Sequence, residues 1–302
     1  MILKVENLTK HYNKFIALDN ISFNIKKGSI CGLVGANGSG KTTLMRIISG
    51  ASYQTTGNFT LFNTSSKNKI NRNKMGVLIE QPSFYKDMTA YQNLELLTIA
   101  KKTKKNNIDN ILNIVGLLDV KNKKVSKFSL GMRQRLSIAM TLIGDPEFII
   151  LDEPINGLDP NGIIDIRNII KNLNKEYGIT FLISSHILQE LYQFATDYVI
   201  INKSRLISTI SQNELDKKLE PTYNIYYDGN EKELLSFLNN YNINIIDNNN
   251  NIISFKTNKI LPKYFLKQLM THSFINVDIY DFNKKSETLE EYFLRITKER
   301  NF

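Results

Sequence analysis

The stretch "GANGSGKT", Gly35 to Thr42, decides how this chain is read. It matches the pattern G-x-x-x-x-G-K-[ST] at every fixed position. Before it runs "SICGLV", Ser29 to Val34, an apolar segment with the length of a buried strand. After it runs "KTTLMRIISG", which has helical spacing and stops at Gly50. Strand, glycine-rich loop and helix in that order make a cradle for phosphate. Gly35, Gly38 and Gly40 let the backbone curl and bring its N–H groups close, with Asn37, Ser39 and Thr43 in the same turn. The helix N-terminus adds the positive end of its dipole. Lys41 would reach the β- and γ-phosphates, and the Thr42 hydroxyl would ligate Mg²⁺.

Further along, "FIILDEP", Phe148 to Pro154, supplies four apolar residues and then two acids. A buried strand would present Asp152 at its end, in position to hold the Mg²⁺ shell. Glu153 is its neighbour and points elsewhere, towards an attacking water as general base. "ITFLISSH", Ile179 to His186, is a third strand-like run ending in polar residues. Helical patterns separate these runs, among them "TAYQNLELLTIAKK", with Thr89 and Gln92 as a capping box, and "NIDNILNIVGLLDV". Strands alternating with helices imply an α/β fold, a mostly parallel sheet covered on both faces. Ligands gather at the carboxyl ends of such strands, where all three polar clusters lie.

Composition sets bounds on the rest. No run of about 18 apolar residues exists, so no spanning helix is expected. "MILKVENLTKHY" has no apolar segment behind a basic start, so no signal peptide is expected. The single cysteine, Cys31, excludes an internal disulfide. The net charge of +10 is uneven: residues 1–210 carry 27 Lys/Arg against 16 Asp/Glu, residues 211–302 carry 12 against 13. The positive part is the one that would meet an anion. "KKTKK", Lys101 to Lys105, and "KNKK", Lys121 to Lys124, read as solvated loop faces, with contact to anionic lipid as the alternative.

With "FSLGMRQR", Phe128 to Arg135, placed shortly before the acidic strand, residues 1–210 resemble the nucleotide-binding subunit of ATP-binding-cassette (ABC) transporters. The family signature usually reads Leu-Ser-Gly-Gly-Gln; here Ser129 and Gly131 are kept, and Leu130 and Met132 replace Gly and Gln. Ser129 is placed as N-cap of the helix that follows. By this resemblance Ser129, Gly131 and Met132 act on ATP held by a second copy, so that a head-to-tail homodimer sandwiches two ATP molecules. It also implies that Tyr12 stacks on adenine, that Asp159 in "NGLDP" lies in the loop crossing the dimer interface, and that His186 is the switch histidine at the γ-phosphate. The fold it implies is a P-loop NTPase cassette with an antiparallel β arm and a helical subdomain over about residues 85–145. The cofactors are ATP and Mg²⁺. The partner is an integral membrane permease, which would hold the chain on the cytoplasmic side of the cell membrane. No nucleic acid is expected.

"LIEQPSFYKD", Leu78 to Asp87, covers the loop where most relatives have a single Gln that touches Mg²⁺ or the attacking water. Counting back from Pro82, Tyr85, Met88 and Thr89 places Glu80 there, while a one-residue slip would place Gln81. An acid at that position, together with "FSLGM", resembles the branch that exports bacitracin-like and lantibiotic peptides for immunity or resistance. Glu80 would then be a metal ligand and coupling residue, since a carboxylate suits a hard cation. The alternatives are export of another cargo, and an ABC ATPase working on ribosomes or DNA. The latter usually has two cassettes or a long coiled coil, and neither is present here.

Residues 211–222, with "SQNELDKKL" and Pro221, read as a linker. Residues 223–302 then read as strand, helix, strand, strand, helix, strand and a last helix from Thr288, which suggests a small ferredoxin-like α+β domain. Its job is not legible in the sequence.

Overall fold

Strands β1 (Leu3–Tyr12) and β2 (Phe15–Ile25) form an antiparallel hairpin that turns at Asn13, which takes a left-handed φ of 53°. The computed structural model describes residues 1–302 except 69, 71, 81–82, 104–107, 242, 244, 250, 257–264, 266, 268, 270–276 and 300–302. It divides into two units, residues 1–212 and 213–302.

In the first unit, β4 (Thr56–Leu61) and β5 (Thr64–Ser65) complete an antiparallel sheet of order β2-β1-β4-β5. The second sheet consists of β3 (Ile30–Val34), β6 (Met75–Leu78), β7 (Phe148–Asp152), β8 (Thr180–Ser185), β9 (Asp197–Asn202) and β10 (Arg205–Ser211). Its order is β10-β9-β3-β8-β7-β6, parallel throughout except for the antiparallel β9–β10 pair. All residues of β3 and β8 are buried, as strands covered on both faces require. One core cluster joins both sheets: Leu3, Leu18 and Phe59 of the antiparallel sheet pack with Leu33, Ile150 and Leu182 of the parallel one and with Leu44 and Ile48. The carboxyl ends of β3, β7 and β8 therefore lie side by side.

The helices are α1 (Lys41–Ser49), α2 (Ala90–Ala100), α3 (Ile108–Ile114), α4 (Leu130–Leu142), α5 (Pro160–Tyr177) and α6 (Leu188–Tyr192). The Thr89–Gln92 capping box forms, with Gln92 N donating to Thr89 Oγ1 at 3.2 Å and Thr89 N to Gln92 Oε1 at 2.9 Å. Buried Asn93 on α2 pins the preceding loop: its side chain bonds both the N–H and the carbonyl of Tyr85, at 3.0 and 3.1 Å.

Two sequence expectations are corrected here. The helix read through Val120 ends at Ile114, because Gly116 takes a φ of 64° and Leu117 N bonds back to Leu112 O at 2.8 Å. That closure satisfies the last carbonyls and stops the helix. The lysine runs are not wholly solvated. Lys101 donates to Ile143 O at 2.9 Å, at the C-terminus of α4, where a cation favours the helix dipole, and burial lowers its pKa. Lys121 pairs with Asp109 at 2.9 Å.

In the second unit, α7 (Gln212–Leu219, its first residue still in unit 1) precedes β11 (Thr222–Gly229), α8 (Glu231–Asn240), β12 (Ile245–Asn249), β13 (Ile252–Lys256), β14 (Val277–Lys285) and α9 (Leu289–Glu299). The sheet order is β12-β13-β11-β14 with every neighbouring pair antiparallel. Tyr223 stacks on Phe255 and Phe282, with ring centroids 5.3 and 5.8 Å away. Leu234 and Leu238 of α8 close that core, together with Phe265 and Leu269. Most of the second helix that the sequence predicts within residues 223–302, at Ile260–Thr271, lies outside the described residues.

Candidate functional site

The loop after β3 encloses the first part of the site. A Cβ at Gly35 would lie 2.3 Å from Ile201 O and 2.5 Å from Ser39 Oγ, so only glycine fits there. Ser39 is buried and its hydroxyl has no partner in the structure. A buried unpaired polar atom is costly, and a phosphate oxygen would satisfy it. Lys41 is buried, and its ammonium donates to Gly35 O at 2.7 Å and Ala36 O at 3.2 Å. Burial lowers the Lys41 pKa, opposed by the charges of Glu153 and Asp152.

The ends of β7 and β8 supply the second part. Thr42 Oγ1 donates to Asp152 Oδ2 at 2.8 Å, across 110 residues of sequence. Ser184 donates to the other carboxylate oxygen of Asp152, and its hydroxyl accepts Glu153 N at 2.9 Å. Glu153 holds a left-handed φ of 49°, which is strained for a residue with a Cβ. Glu153 Oε2 lies 2.7 Å from His186 Nδ1, and Oε1 lies 3.9 Å from Lys41 Nζ. A carboxylate only accepts, so Nδ1 carries the proton. Lys41, Thr42, Asp152, Glu153 and His186 line one cavity of about 340 Å³ together with Asn37, Gly38, Gly40 and Thr43. Phe15, Ala17 and Asn156, which the motifs did not single out, line it too. Phe15 is directly opposite Tyr12 in the β1–β2 register, and that pairing was the available signal. Tyr12 itself is exposed, with Lys10 Nζ 4.7 Å above its ring.

The donor set suits Mg²⁺. Thr42 and Asp152 offer hard oxygens already aligned with each other. No group of three or more His, Cys, Asp or Glu side chains forms a metal cage among the described residues. A cation held by these two oxygens would share its shell with phosphate and water, as Mg²⁺ does.

Asp152, Glu153 and Asn156 also line a second cavity, of about 860 Å³, which Glu80 borders. Glu80 shares that cavity with Asp152. Its backbone is left-handed, at φ 66°, and its carboxylate pairs with Arg46 of α1. Gln81 lies outside the described residues.

The signature residues stand apart from this cluster. Ser129 caps α4, its Oγ accepting Met132 N at 3.2 Å. Ser129, Gly131 and Asp159 line a separate cavity of about 390 Å³. Asp159 caps α5, accepting Gly162 N at 3.0 Å, a role its sequence context had not shown. Within one chain, then, the signature residues do not border the cavity of the phosphate loop.

The family model described as "ABC transporter" matches residues 18–156. The chain is 36% identical over 299 residues to a bacitracin transport ATP-binding protein of Bacillus licheniformis, covering 98% of this chain and 97% of that one. It is 40% identical over 206 residues to a lantibiotic transport ATP-binding protein of Streptococcus pyogenes, covering 68% and 89%. Among solved structures it is similar to a dimeric, post-hydrolysis ATP-binding cassette bound to ADP and Pi. That match has a TM-score of 0.63 at 26% identity and covers 70% of this chain and 98% of that one. The chain belongs to the ABC transporter family, as an ATP-binding subunit that is an ATPase.

Proposed function

We propose that this ATPase energises export of a peptide antibiotic, bacitracin-like or lantibiotic, through a separate membrane subunit, and so confers immunity or resistance. The observation that carries the reading is the likeness to a bacitracin transport ATP-binding protein along 98% of the chain, which includes the second unit as well as the cassette. Glu80 and the Phe128–Met132 signature add to it. The membrane path would come from the partner, since no described helix is long and apolar enough to cross a bilayer. The ATPase would sit on the cytoplasmic face against that partner.

Each side chain takes a part in hydrolysis. The loop amides, Ser39 and Lys41 hold the phosphates. Thr42 and Asp152 would hold Mg²⁺, which neutralises phosphate charge when bound. Glu153 accepts the proton of the attacking water. His186 keeps Glu153 oriented through Nδ1–H and offers its other nitrogen to the γ-phosphate side. Tyr12 and Phe15 supply exposed aromatic surface for adenine. Two copies arranged head to tail would bring Ser129 and Gly131 of one to the phosphates on the other. The separation of the two cavities within one chain supports that arrangement.

The test is expression of the chain together with a candidate membrane subunit in a susceptible host. Tolerance to bacitracin or a lantibiotic should rise, and should be lost with Glu153→Gln. Unchanged tolerance to both peptides, with ATPase activity intact, would refute the cargo assignment.

A further inference from the structure

The "KNKK" run, Lys121 to Lys124, takes no part in the hydrolytic site. Lys121 is neutralised by Asp109. Lys123 and Lys124 are exposed, and backbone bonds place them beside a second segment. Ser126 N donates to Lys86 O at 2.8 Å, Val125 N donates to Met88 O at 3.0 Å, and Thr89 and Lys124 form an antiparallel bridge. Residues 83–89 and 121–129 are thus tied side by side. Together they present Lys86, Lys123, Lys124 and Lys127, all exposed. Among the described residues, none of these four pairs with a carboxylate. The only acid in the two segments is Asp87.

Tyr85 belongs to the same patch and is 63% exposed. Asn93 grips its backbone from both sides, accepting the Tyr85 N–H at 3.0 Å and donating to its carbonyl at 3.1 Å. The ring is therefore presented from a fixed backbone. Val125 and Phe128 are buried beneath the lysine segment, so that side is anchored as well. Unpaired cations held close together repel one another, and an anionic surface relieves the repulsion. The four cations are all lysines, compact and strongly hydrated point charges, whereas recognition of nucleic-acid phosphates favours the planar fork of arginine. Tyrosine has an apolar body and a polar tip, which suits the headgroup level of a bilayer.

We propose that Lys86, Lys123, Lys124 and Lys127, grouped around Tyr85, dock this chain on an anionic phospholipid surface. The cassette then touches the bilayer directly, in addition to its membrane partner. The inference rests on the chain working beside a membrane, and on no particular cargo. Each lysine close to such a surface strengthens binding about fivefold. The attraction fades within a Debye length, so it is sensitive to salt.

The experiment is co-sedimentation of the full chain with phosphatidylcholine vesicles, with and without phosphatidylglycerol, at low and at high salt. The chain should bind the vesicles that contain phosphatidylglycerol, and high salt should release it. Lys123→Glu/Lys124→Glu should weaken that binding at least about 25-fold, with ATPase turnover and melting temperature unchanged. Lys26→Glu/Lys67→Glu alters net charge equally, at exposed lysines that follow β2 and β5, and should leave binding little changed. Equal binding to both kinds of vesicle would overturn the proposal. So would an equal loss in the two double variants, which would trace the binding to net charge. Absence of vesicle binding, with lysine-dependent binding to the permease alone, would overturn it too and assign the patch to an acidic protein surface. No cargo enters this assay, so its failure would leave the export reading standing.

Discussion

Replacing Glu153 with Gln changes one oxygen for one NH₂ and leaves the local frame intact. The backbone N–H still donates to Ser184, and the new amide oxygen can still accept from His186 Nδ1–H across the 2.7 Å contact. Two things are lost. The first is the proton acceptor. General-base catalysis contributes roughly 10²–10⁴ in rate, or about 3–5 kcal/mol of barrier. The second is a negative charge 3.9 Å from Lys41 Nζ. At an effective dielectric constant near 20 that attraction is about 4 kcal/mol. Its removal frees the Lys41 ammonium for phosphate and takes away a charge that repels the triphosphate. Turnover should therefore fall at least about a hundredfold, while ATP binds as tightly as before or more tightly. Phosphate release under saturating Mg·ATP measures the first effect, and titration with a fluorescent ATP analogue measures the second. Turnover within threefold of wild type would refute the role of Glu153, and a large loss of ATP affinity would refute the electrostatic argument.

Gly35→Ala should destabilise the phosphate loop by about 1–3 kcal/mol and abolish nucleotide binding, because its Cβ would meet Ile201 O at 2.3 Å; thermal melting with and without ATP checks both. Cys31 should resist thiol reagents until the chain unfolds, since it is buried, and burial, with the nearby Asp197, pushes its pKa up; mass spectrometry after alkylation in buffer and in denaturant reads this out. Glu147 bridges Lys27 and Lys74 at 2.9 and 2.7 Å, and hydrogen bonds from Lys74 and then Lys27 lower its pKa. Its stabilisation is present above the ordinary glutamate pKa and fades as pH falls through the lowered folded value. The pair is solvent-screened, so Glu147→Gln should cost less than about 1 kcal/mol at neutral pH and flatten the acid limb of a stability–pH curve.

The sequence was most informative where function demands a local backbone. A phosphate loop, an acid-tipped strand and a serine cap each occupy a few consecutive residues, so their spacing survives in one dimension. Thr42 and Asp152 were separately legible for this reason, and the sheet order β3-β8-β7 then brings them together. Pairings without a local signature were not legible. Phe15 reaches the cavity because of hairpin register, and the bond from His186 to Glu153 depends on β7 and β8 being neighbours. The Arg46–Glu80 pair depends on where α1 passes the loop after β6. Lys101 looked solvated because its acceptor, the Ile143 carbonyl, belongs to a distant helix end. The helix that ends at Ile114 was read as longer because apolar periodicity continues past Gly116, where the chain turns.

The central claim is that one ATP site is built from two copies, Lys41 from one and Ser129 from the other. The direct measurement is complementation between Lys41→Met and Ser129→Arg chains, each inactive alone. In a head-to-tail pair, the mixed dimer has one site with both defects and one site with none. At equal concentrations, half of the dimers are mixed, so about a quarter of wild-type ATPase activity should return on mixing. If Lys41 and Ser129 served the same nucleotide within one chain, every site would remain defective, and mixing would restore nothing.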